Sequence, residues 1–255
     1  MKRITDHQNA DDVECVLVDE RTPRSGMENM QIDERLLENG ASRRVPIVRI
    51  YRWKEPTISL GYFQPADVEV EDRWAACPRV RRLSGGGAIL HDREITYSVV
   101  IPSSHELHRD PYSLYARIHR AIIHQISIFG GKARLRSDAP FEKTEEGFLC
   151  FLRRDPNDVV SDVSHEEYMI ASADPAKIVG SAQRRRRGTV LQHGSLLMRS
   201  SELGREIPGI CDLYPEFDAT GFESSLGKAI CESLELHRIC QVNSEEVEEF
   251  RNVVR

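Results

Sequence analysis

The chain has 255 residues, of which 40% are hydrophobic and 30% are charged, and its formal net charge is −6. This composition is typical of a globular protein with a buried core, and the acidic balance argues against nucleic-acid binding, which needs clustered lysine and arginine. No stretch reaches the roughly 18 apolar residues of a membrane span, and the N-terminus lacks the apolar segment of a secretory signal. The six cysteines show no CxxC spacing, so we predict no metal site, no disulfide framework and a reducing, cytoplasmic location.

The N-terminal half predicts one helix between strands. A short apolar run at Cys15–Val18 indicates a possible strand. Met27–Glu38 carries apolar residues at helical spacing and predicts an amphipathic helix. Val45–Trp53 and Thr57–Leu60 are rich in β-branched and aromatic residues, which predicts two strands.

The C-terminal half predicts further strands and a long helix. Val80–Pro102 holds strands on both sides of a glycine run. Pro111–Phe129 has apolar residues at four-residue steps, so it predicts a helix with one buried stripe, closed by Gly130–Gly131. Two helices are predicted from Phe222 onward, the last beginning at a capping-box-like Asn243. Short strands are predicted at Ala133–Arg136, Phe148–Phe151, Tyr168–Ala171, Lys177–Ser181 and Val190–Met198.

The order of these elements indicates the fold class. Strands and helices are mixed without strict βαβ alternation, so an α/β (α+β) domain with a mixed sheet is expected rather than a doubly wound parallel sheet. Neither the dinucleotide-binding glycine motif nor the P-loop motif occurs. We expect a polar extension with a possible short strand over 1–26 and one domain over 27–255.

Three adjacent glycines, Gly85–Gly87, follow Arg82 and Ser84 between two predicted strands. Such a run is typical of a loop whose backbone another group approaches closely. It is also typical of a loop whose backbone N–H groups bind an anion or a carbonyl oxygen. It also fits a plain hairpin turn, and the sequence alone leaves both readings open. His91, which follows this run, is by itself more typical of a structural histidine than of a catalyst.

A second group of small and charged residues follows Lys177. A lysine at the start of an apolar strand can contact a carbonyl or phosphate group or favour a nearby thiolate, although a surface lysine is the commoner case. Arg184–Arg187 places four positive charges in a row. That run fits either a solvated hairpin loop or a docking patch for an acidic partner.

Four ordered motifs together resemble one superfamily, the lipoate–protein ligases and octanoyltransferases. They are MENMQIDERLL, YRWKEPTISLGYFQ, RRLSGGGAILHD, and KIVGSAQ followed by GTVLQHGSLL, and they span roughly residues 27–200. The resemblance implies a mixed-sheet fold shared with biotin ligases and class II synthetase-like domains, with an acyl tunnel between the glycine loop and the lysine strand. It also implies that 27–255 is a single catalytic domain, without the C-terminal accessory domain that many of the ligases carry. It implies substrate-binding roles for Arg82, Ser84, Gly85, Gly86, Gly87, His91, Gly180, Ser181, Ala182, Gln183, Gln192, His193 and Gly194.

Two chemistries occur in this superfamily, and the motifs favour the transferase. In cysteine-dependent octanoyltransferases a Cys-Phe pair carries the acyl thioester, and Cys150-Phe151 matches that pair, with Lys177 as its catalytic partner. The resemblance then implies transfer of an octanoyl group from acyl carrier protein to the lysine of a lipoyl domain or glycine-cleavage carrier, without a cofactor. Arg184–Arg187 is the expected docking patch for the acyl carrier protein.

Two alternatives stay open. Asn157-Asp158 resembles the Asn-Asp pair of the ligases, which use ATP and Mg²⁺ to form an acyl-adenylate such as lipoyl-AMP. A homologue that binds carriers without catalysis is the third possibility, and the presence of both Cys150 and Lys177 argues against it.

Overall fold

A computed structural model of the chain describes residues 13–42, 44–143, 147–163 and 175–242. Its strands are β1 (Cys15–Asp19), β2 (Ile47–Tyr51), β3 (Thr57–Leu60), β4 (Arg79–Arg81), β5 (Ile89–His91), β6 (Glu94–Ile101), β7 (Arg134–Leu135), β8 (Val159–Ser161), β9 (Ala176–Arg186), β10 (Thr189–Leu197) and β11 (Ile239–Val242). Its α-helices are α1 (Gly26–Asn39), α2 (Pro111–Ile128), α3 (Ile210–Leu213) and α4 (Ala219–Ser233).

The strands form two sheets. The larger has the order β11-β1-β2-β6-β10-β9-β8-β7, and the smaller has the order β4-β3-β5. In the larger sheet β1 runs parallel to β2 and β11, and the other neighbours are antiparallel. The central strands β6 and β10 are buried along their whole length, at eight and nine residues. They are buried because both faces of the sheet are covered at its centre, by helices or by the smaller sheet.

Helix α1 begins at a capping box and covers one face of the larger sheet. The Glu28 amide donates to Ser25 Oγ at 3.3 Å, and the Ser25 amide donates to Glu28 Oε2 at 2.9 Å. This reciprocal pair satisfies two amides that a helix start leaves without partners. Leu36 and Leu37 then pack against the side chains of β1, β2, β6 and β10 that point to this face.

Helices α2 and α4 cover the opposite face. Leu114, Ile118, Ile122 and Ile126 form the stripe predicted for α2, and all four are fully buried. They pack with the apolar face of α4 and with the alternate residues of the sheet in the largest core cluster. No described helix is long and apolar enough to cross a membrane.

Most predicted elements are present, but β8 and α3 were not predicted, and three further features differ. The predicted strand Phe148–Phe151 is wrong, because only Leu149 bridges to Ala88 and a single 3₁₀ turn, Cys150–Leu152, follows. β1 lies inside the larger sheet, so Cys15–Asp19 is part of the domain rather than of a separate extension. β11 was not predicted. Tyr168–Ala171 and the helix from Asn243 lie outside the described residues.

Ile118→Ala tests the core between α2 and the sheet. We expect it to lower the free energy of unfolding by about 2–5 kcal/mol, because the removed atoms leave a cavity in a fully packed region. Ile128→Ala is the matched control, since Ile128 lies on the same helix and is 57% exposed. Urea unfolding followed by circular dichroism measures both, and equal losses would contradict the described burial of the α2 stripe.

Candidate active site

The glycine-rich loop between β4 and β5 is braced by a buried arginine. The Arg82 guanidinium donates to the carbonyl oxygens of Gly85 at 2.8 Å, Gly87 at 2.5 Å and Ser59 at 2.9 Å. Gly86 has a φ of +96°, a conformation that side chains rarely adopt. Arg82 therefore fixes the loop from behind, and desolvation lowers the pKa of its guanidinium to about 10.

Cys150 lies beside this loop. Its amide donates to the Ala88 carbonyl at 2.6 Å, and the Arg153 amide donates back to the Cys150 carbonyl at 3.1 Å. The first bond is the last of the pairing with Ala88, and the second closes the 3₁₀ turn. The strand predicted over Phe148–Phe151 therefore does not form. A β-carbon on Gly86 would stand 3.8 Å from Cys150 Sγ. The thiol is partly exposed and so faces the loop with access to solvent.

Lys177, at the start of β9, brings a buried ammonium group to Cys150. Its Nζ lies 3.9 Å from Cys150 Sγ, 3.1 Å from the Cys150 carbonyl oxygen and 2.7 Å from Asp158 Oδ1. Burial raises the pKa of Asp158, and the charge of Lys177 only partly offsets that rise. A β-carbon on Gly180 would stand 2.8 Å from Lys177 Cε. A side chain at position 180, three residues after Lys177, would therefore displace the lysine from this position.

A cavity of about 600 Å³ joins these parts, a size typical of small-molecule sites. Its wall includes most of the residues predicted from the sequence: Arg82, Gly85, Gly86, Gly87, His91, Cys150, Lys177, Gly180, Ser181, Ala182, Gln183, His193 and Gly194. Two predicted residues do not line it. Ser84 bonds to His193, and Gln192 bonds to Gln183 and Tyr97 behind the wall.

A buried network connects helix α1 to the glycine loop. Asp33 accepts from Arg49 at 2.9 Å and from Tyr51 at 3.1 Å, and its Oδ2 lies 3.5 Å from His193 Nδ1. His193 Nε2 lies 2.5 Å from Ser84 Oγ. Burial opposes ionisation of Asp33, but the hydrogen bond with His193 and the charge of Arg49 outweigh it and hold the pKa of Asp33 below its usual value.

His91 belongs to a second buried network under the cavity. Its Nε2 lies 2.7 Å from Ser59 Oγ, and its Nδ1 lies 2.7 Å from Glu94 Oε1. Trp53 stacks on the imidazole with ring centroids 3.7 Å apart. Desolvation lowers the pKa of His91 despite the nearby Glu94 carboxylate. His91 is therefore held on three sides, by Ser59, Glu94 and Trp53.

A family model described as the lipoyl protein ligase A/B catalytic domain matches residues 25–249. The chain belongs to this family. Among its curated relatives is an octanoyltransferase LipM of Oceanobacillus iheyensis, 34% identical over 184 residues, which covers 69% of this chain and 62% of the relative. An octanoyltransferase LipM of Kyrpidia tusciae is 38% identical over 176 residues, covering 67% and 61%. The chain thus spans about three fifths of the length of these relatives.

Solved structures show the same fold. Protein Ta0514 from T. acidophilum with bound lipoic acid superposes with a TM-score of 0.66 at 21% identity, covering 94% of each chain. A lipoate-protein ligase A bound with ATP gives 0.64 at 21% identity, covering 95% of this chain and 94% of the other. The mixed-sheet fold expected from the motifs is therefore confirmed as that of the lipoate-protein ligases.

Several residues of this family site were not identified from the sequence. Asp33 could have been found, because it lies three positions after Met30 and four before Leu37, on the apolar stripe of a predicted helix. A charged residue on a buried stripe indicates a buried partner. Trp53 and Glu94 gave no such signal: Trp53 lies two positions after the end of β2 and Glu94 is the first residue of β6, and no sequence pattern marks either position.

Arg184–Arg187 lies at the β9–β10 hairpin, as the hairpin-loop interpretation of this run predicts. Arg184 lies over the Tyr62 ring, 4.6 Å from its centroid, and Arg186 pairs with Glu38 at 2.9 Å. Arg187 has a φ of +51° in the turn and is exposed. Part of the tract therefore has an internal structural role. In the described part of the chain, His, Cys, Asp and Glu side chains form no group of three that could hold a metal ion.

Asp33→Asn tests the network behind the loop. We expect a loss of about 3 kcal/mol or more in the free energy of unfolding at pH 7, because a buried charge partner of Arg49 is removed. The folded pKa of Asp33 is depressed. The stability that ionised Asp33 contributes is therefore fully present above its pKa in the unfolded chain, which is about 4. It is lost as the pH falls through the lower pKa that Asp33 has in the folded protein. Urea unfolding at pH 7 and pH 3.5 should show the difference shrinking, whereas a constant difference would contradict this assignment. Glu202→Gln, in an exposed pair with Arg205, is the control.

Proposed function

We propose that this chain is an octanoyltransferase of lipoate biosynthesis. It moves an octanoyl group from acyl carrier protein, through a thioester on Cys150, to the lysine of a lipoyl domain or glycine-cleavage carrier. The observation that carries the proposal is the placement of Cys150 Sγ at the cavity wall, 3.9 Å from Lys177 Nζ. The relatives named octanoyltransferase LipM support the same reaction.

In the first step the Cys150 thiolate attacks the carbonyl carbon of the donor thioester. A new carbon–sulfur bond forms to Cys150, the bond to the donor sulfur breaks, and the donor leaves as a thiolate that takes up a proton. The ammonium of Lys177 stabilises negative charge that develops at the sulfur and at the carbonyl oxygen. Since Asp158 also pairs with Lys177, it fixes the position of the ammonium group.

In the second step the neutral acceptor lysine attacks the Cys150 thioester. The amide bond forms, the carbon–sulfur bond to Cys150 breaks, and the proton released by the amine restores the thiol. An amine displaces a thiolate from a thioester readily, so the acyl-enzyme divides one transfer into two accessible steps. This reaction consumes no cofactor.

The alternative is an ATP-dependent lipoate–protein ligase. Asn157 and Asp158 both line the cavity, and they are the pair that resembles the ligase motif. In that reaction ATP and Mg²⁺ activate lipoate as lipoyl-AMP, and Cys150 has only a structural role. The pairing of Asp158 with Lys177 at 2.7 Å occupies the carboxylate and favours the transferase.

Intact-protein mass spectrometry distinguishes the two reactions. After mixing with octanoyl–acyl carrier protein and no ATP, we expect one octanoyl adduct on the wild-type chain and none on Cys150→Ala. Cys211→Ala is the matched control, because Cys211 is a buried thiol outside the cavity and its variant should keep the adduct. Carrier acylation that appears only with lipoate and Mg-ATP would establish the ligase instead. Carrier binding without any acyl transfer would point to a non-catalytic homologue.

Arg187→Glu tests the arginine tract as a docking patch for acyl carrier protein. Reversal of an exposed charge at the rim of an interface changes mainly the association rate, so we expect association about threefold slower at low salt. The difference should vanish at high salt because of screening. Lys228→Glu, an equally exposed reversal on α4, is the control. Stopped-flow measurement that finds equal rates for both variants at low salt would remove the docking role.

A further inference from the structure

Among the described residues, Phe63 is the large apolar side chain that is both strongly exposed and adjacent to the cavity. It is 82% exposed and borders the cavity. Its ring also lies against the glycine loop, 3.7 Å from the place where a β-carbon on Gly85 would stand. With the neighbouring Tyr62 ring, which is 43% exposed, it forms an apolar patch at the mouth of the cavity, and an apolar patch at such a place is typical of an interaction surface.

The backbone that carries Phe63 is held in a fixed shape. Arg81 donates to the carbonyl oxygens of Gly61 at 2.9 Å, Tyr62 at 3.1 Å and Gln64 at 2.7 Å. The Tyr62 ring meets the Phe63 ring edge-on, with centroids 5.1 Å apart. Because these contacts already order the segment that carries Phe63, a partner that covers the ring loses less conformational entropy on binding. Such preordered side chains are typical of interface anchors.

Positive charge flanks this ring in a chain of net charge −6. Arg184 lies over the Tyr62 ring at 4.6 Å, and the Nη1 of Arg81 contacts neutral carbonyl oxygens. None of these contacts neutralises a guanidinium group. An acidic surface is thus the complement that this apolar and basic rim fits.

The short distance between the Phe63 rim and Cys150 indicates which of the two protein partners, donor or acceptor, docks on this rim. Phe63 packs on Gly85, and the next residue, Gly86, is the one whose β-carbon would stand 3.8 Å from Cys150 Sγ. A lysine side chain reaches only about 6 Å from its Cα, so the backbone of the acceptor must rest on the cavity rim. A thioester donor on a long prosthetic arm has no such requirement, so its protein body can dock farther from Cys150, toward Arg187 at the end of the arginine tract.

We infer that Phe63, with Arg81 and Arg184 beside it, is the docking site for the acceptor, an acidic domain that presents its lysine on an exposed turn. Phe63 is the apolar anchor, and the two arginines orient the acidic surface. This inference rests on the proposed function, which supplies an acceptor lysine to be brought to Cys150.

Equilibrium binding tests the site without depending on the chemistry. An E2 lipoyl domain is titrated into the wild-type chain, Phe63→Ala and Ile128→Ala by isothermal calorimetry. We expect Phe63→Ala to raise the dissociation constant about tenfold, as loss of an anchor does. Ile128→Ala, which removes an exposed apolar side chain away from the cavity, should bind as the wild type does. Equal binding by wild type and Phe63→Ala would overturn the inference.

Single-turnover transfer adds a second readout. The octanoyl-enzyme is mixed with either the lipoyl domain or the small amine N-acetyl-lysine amide. For Phe63→Ala the ratio of the domain rate to the small-amine rate should fall about tenfold at subsaturating domain, and Phe63→Leu should restore part of it. An unchanged ratio would mean that Phe63 shapes the cavity and docks nothing. If no octanoyl-enzyme forms on the wild type, the transferase proposal fails, while the calorimetric result still decides the docking site.

Discussion

Arg49 is buried at the centre of the larger sheet, and its positive charge has to be neutralised there. Glu20 and Asp33 lie 2.6 and 2.9 Å from its guanidinium, so the end of β1, helix α1 and strand β2 are tied to one point. A buried charge that lost one of these partners would cost several kcal/mol. Asp33 extends the same network through His193 to Ser84. The position of the glycine loop thus depends on a charge that does not line the cavity.

The proposed catalytic pair, Cys150 and Lys177, depends on a second compromise between charges. An ammonium close to a thiol favours the negative sulfur, but a buried ammonium needs a counterion of its own. Asp158 provides that counterion at 2.7 Å from Lys177, and Gly180 leaves the space that the lysine needs. Asp158 weakens the attraction between Lys177 and Cys150, because the same ammonium group interacts with its carboxylate. The ion pair with Asp158 also fixes the position of the ammonium group beside Cys150.

The two sides of the cavity are built differently, and this difference suits a two-step transfer. The inner wall is a set of buried side chains, including His91 under Trp53, whose hydrogen bonds leave little freedom. The outer rim is exposed and basic, with Phe63 held against Gly85. In the proposed transfer, the rigid wall would hold one acyl group in a single place, and the exposed rim would receive two protein partners in turn. The residues proposed for catalysis and those proposed for recognition therefore differ.

The sequence by itself determined the long helices, most strands and most of the cavity wall. The stripe of α2 and the run Gly85–Gly87 depend on local periodicity and on backbone freedom, which neighbouring residues specify. Tertiary structure alone decided that Cys150 starts a 3₁₀ turn instead of lying in a strand, because the deciding bond is donated to Ala88, 62 positions away. It also decided that Arg82, which braces the loop, is itself anchored to the carbonyl of Ser59, 23 positions away. Contacts between residues so far apart in the chain leave no periodic signal, so only the folded chain specifies them.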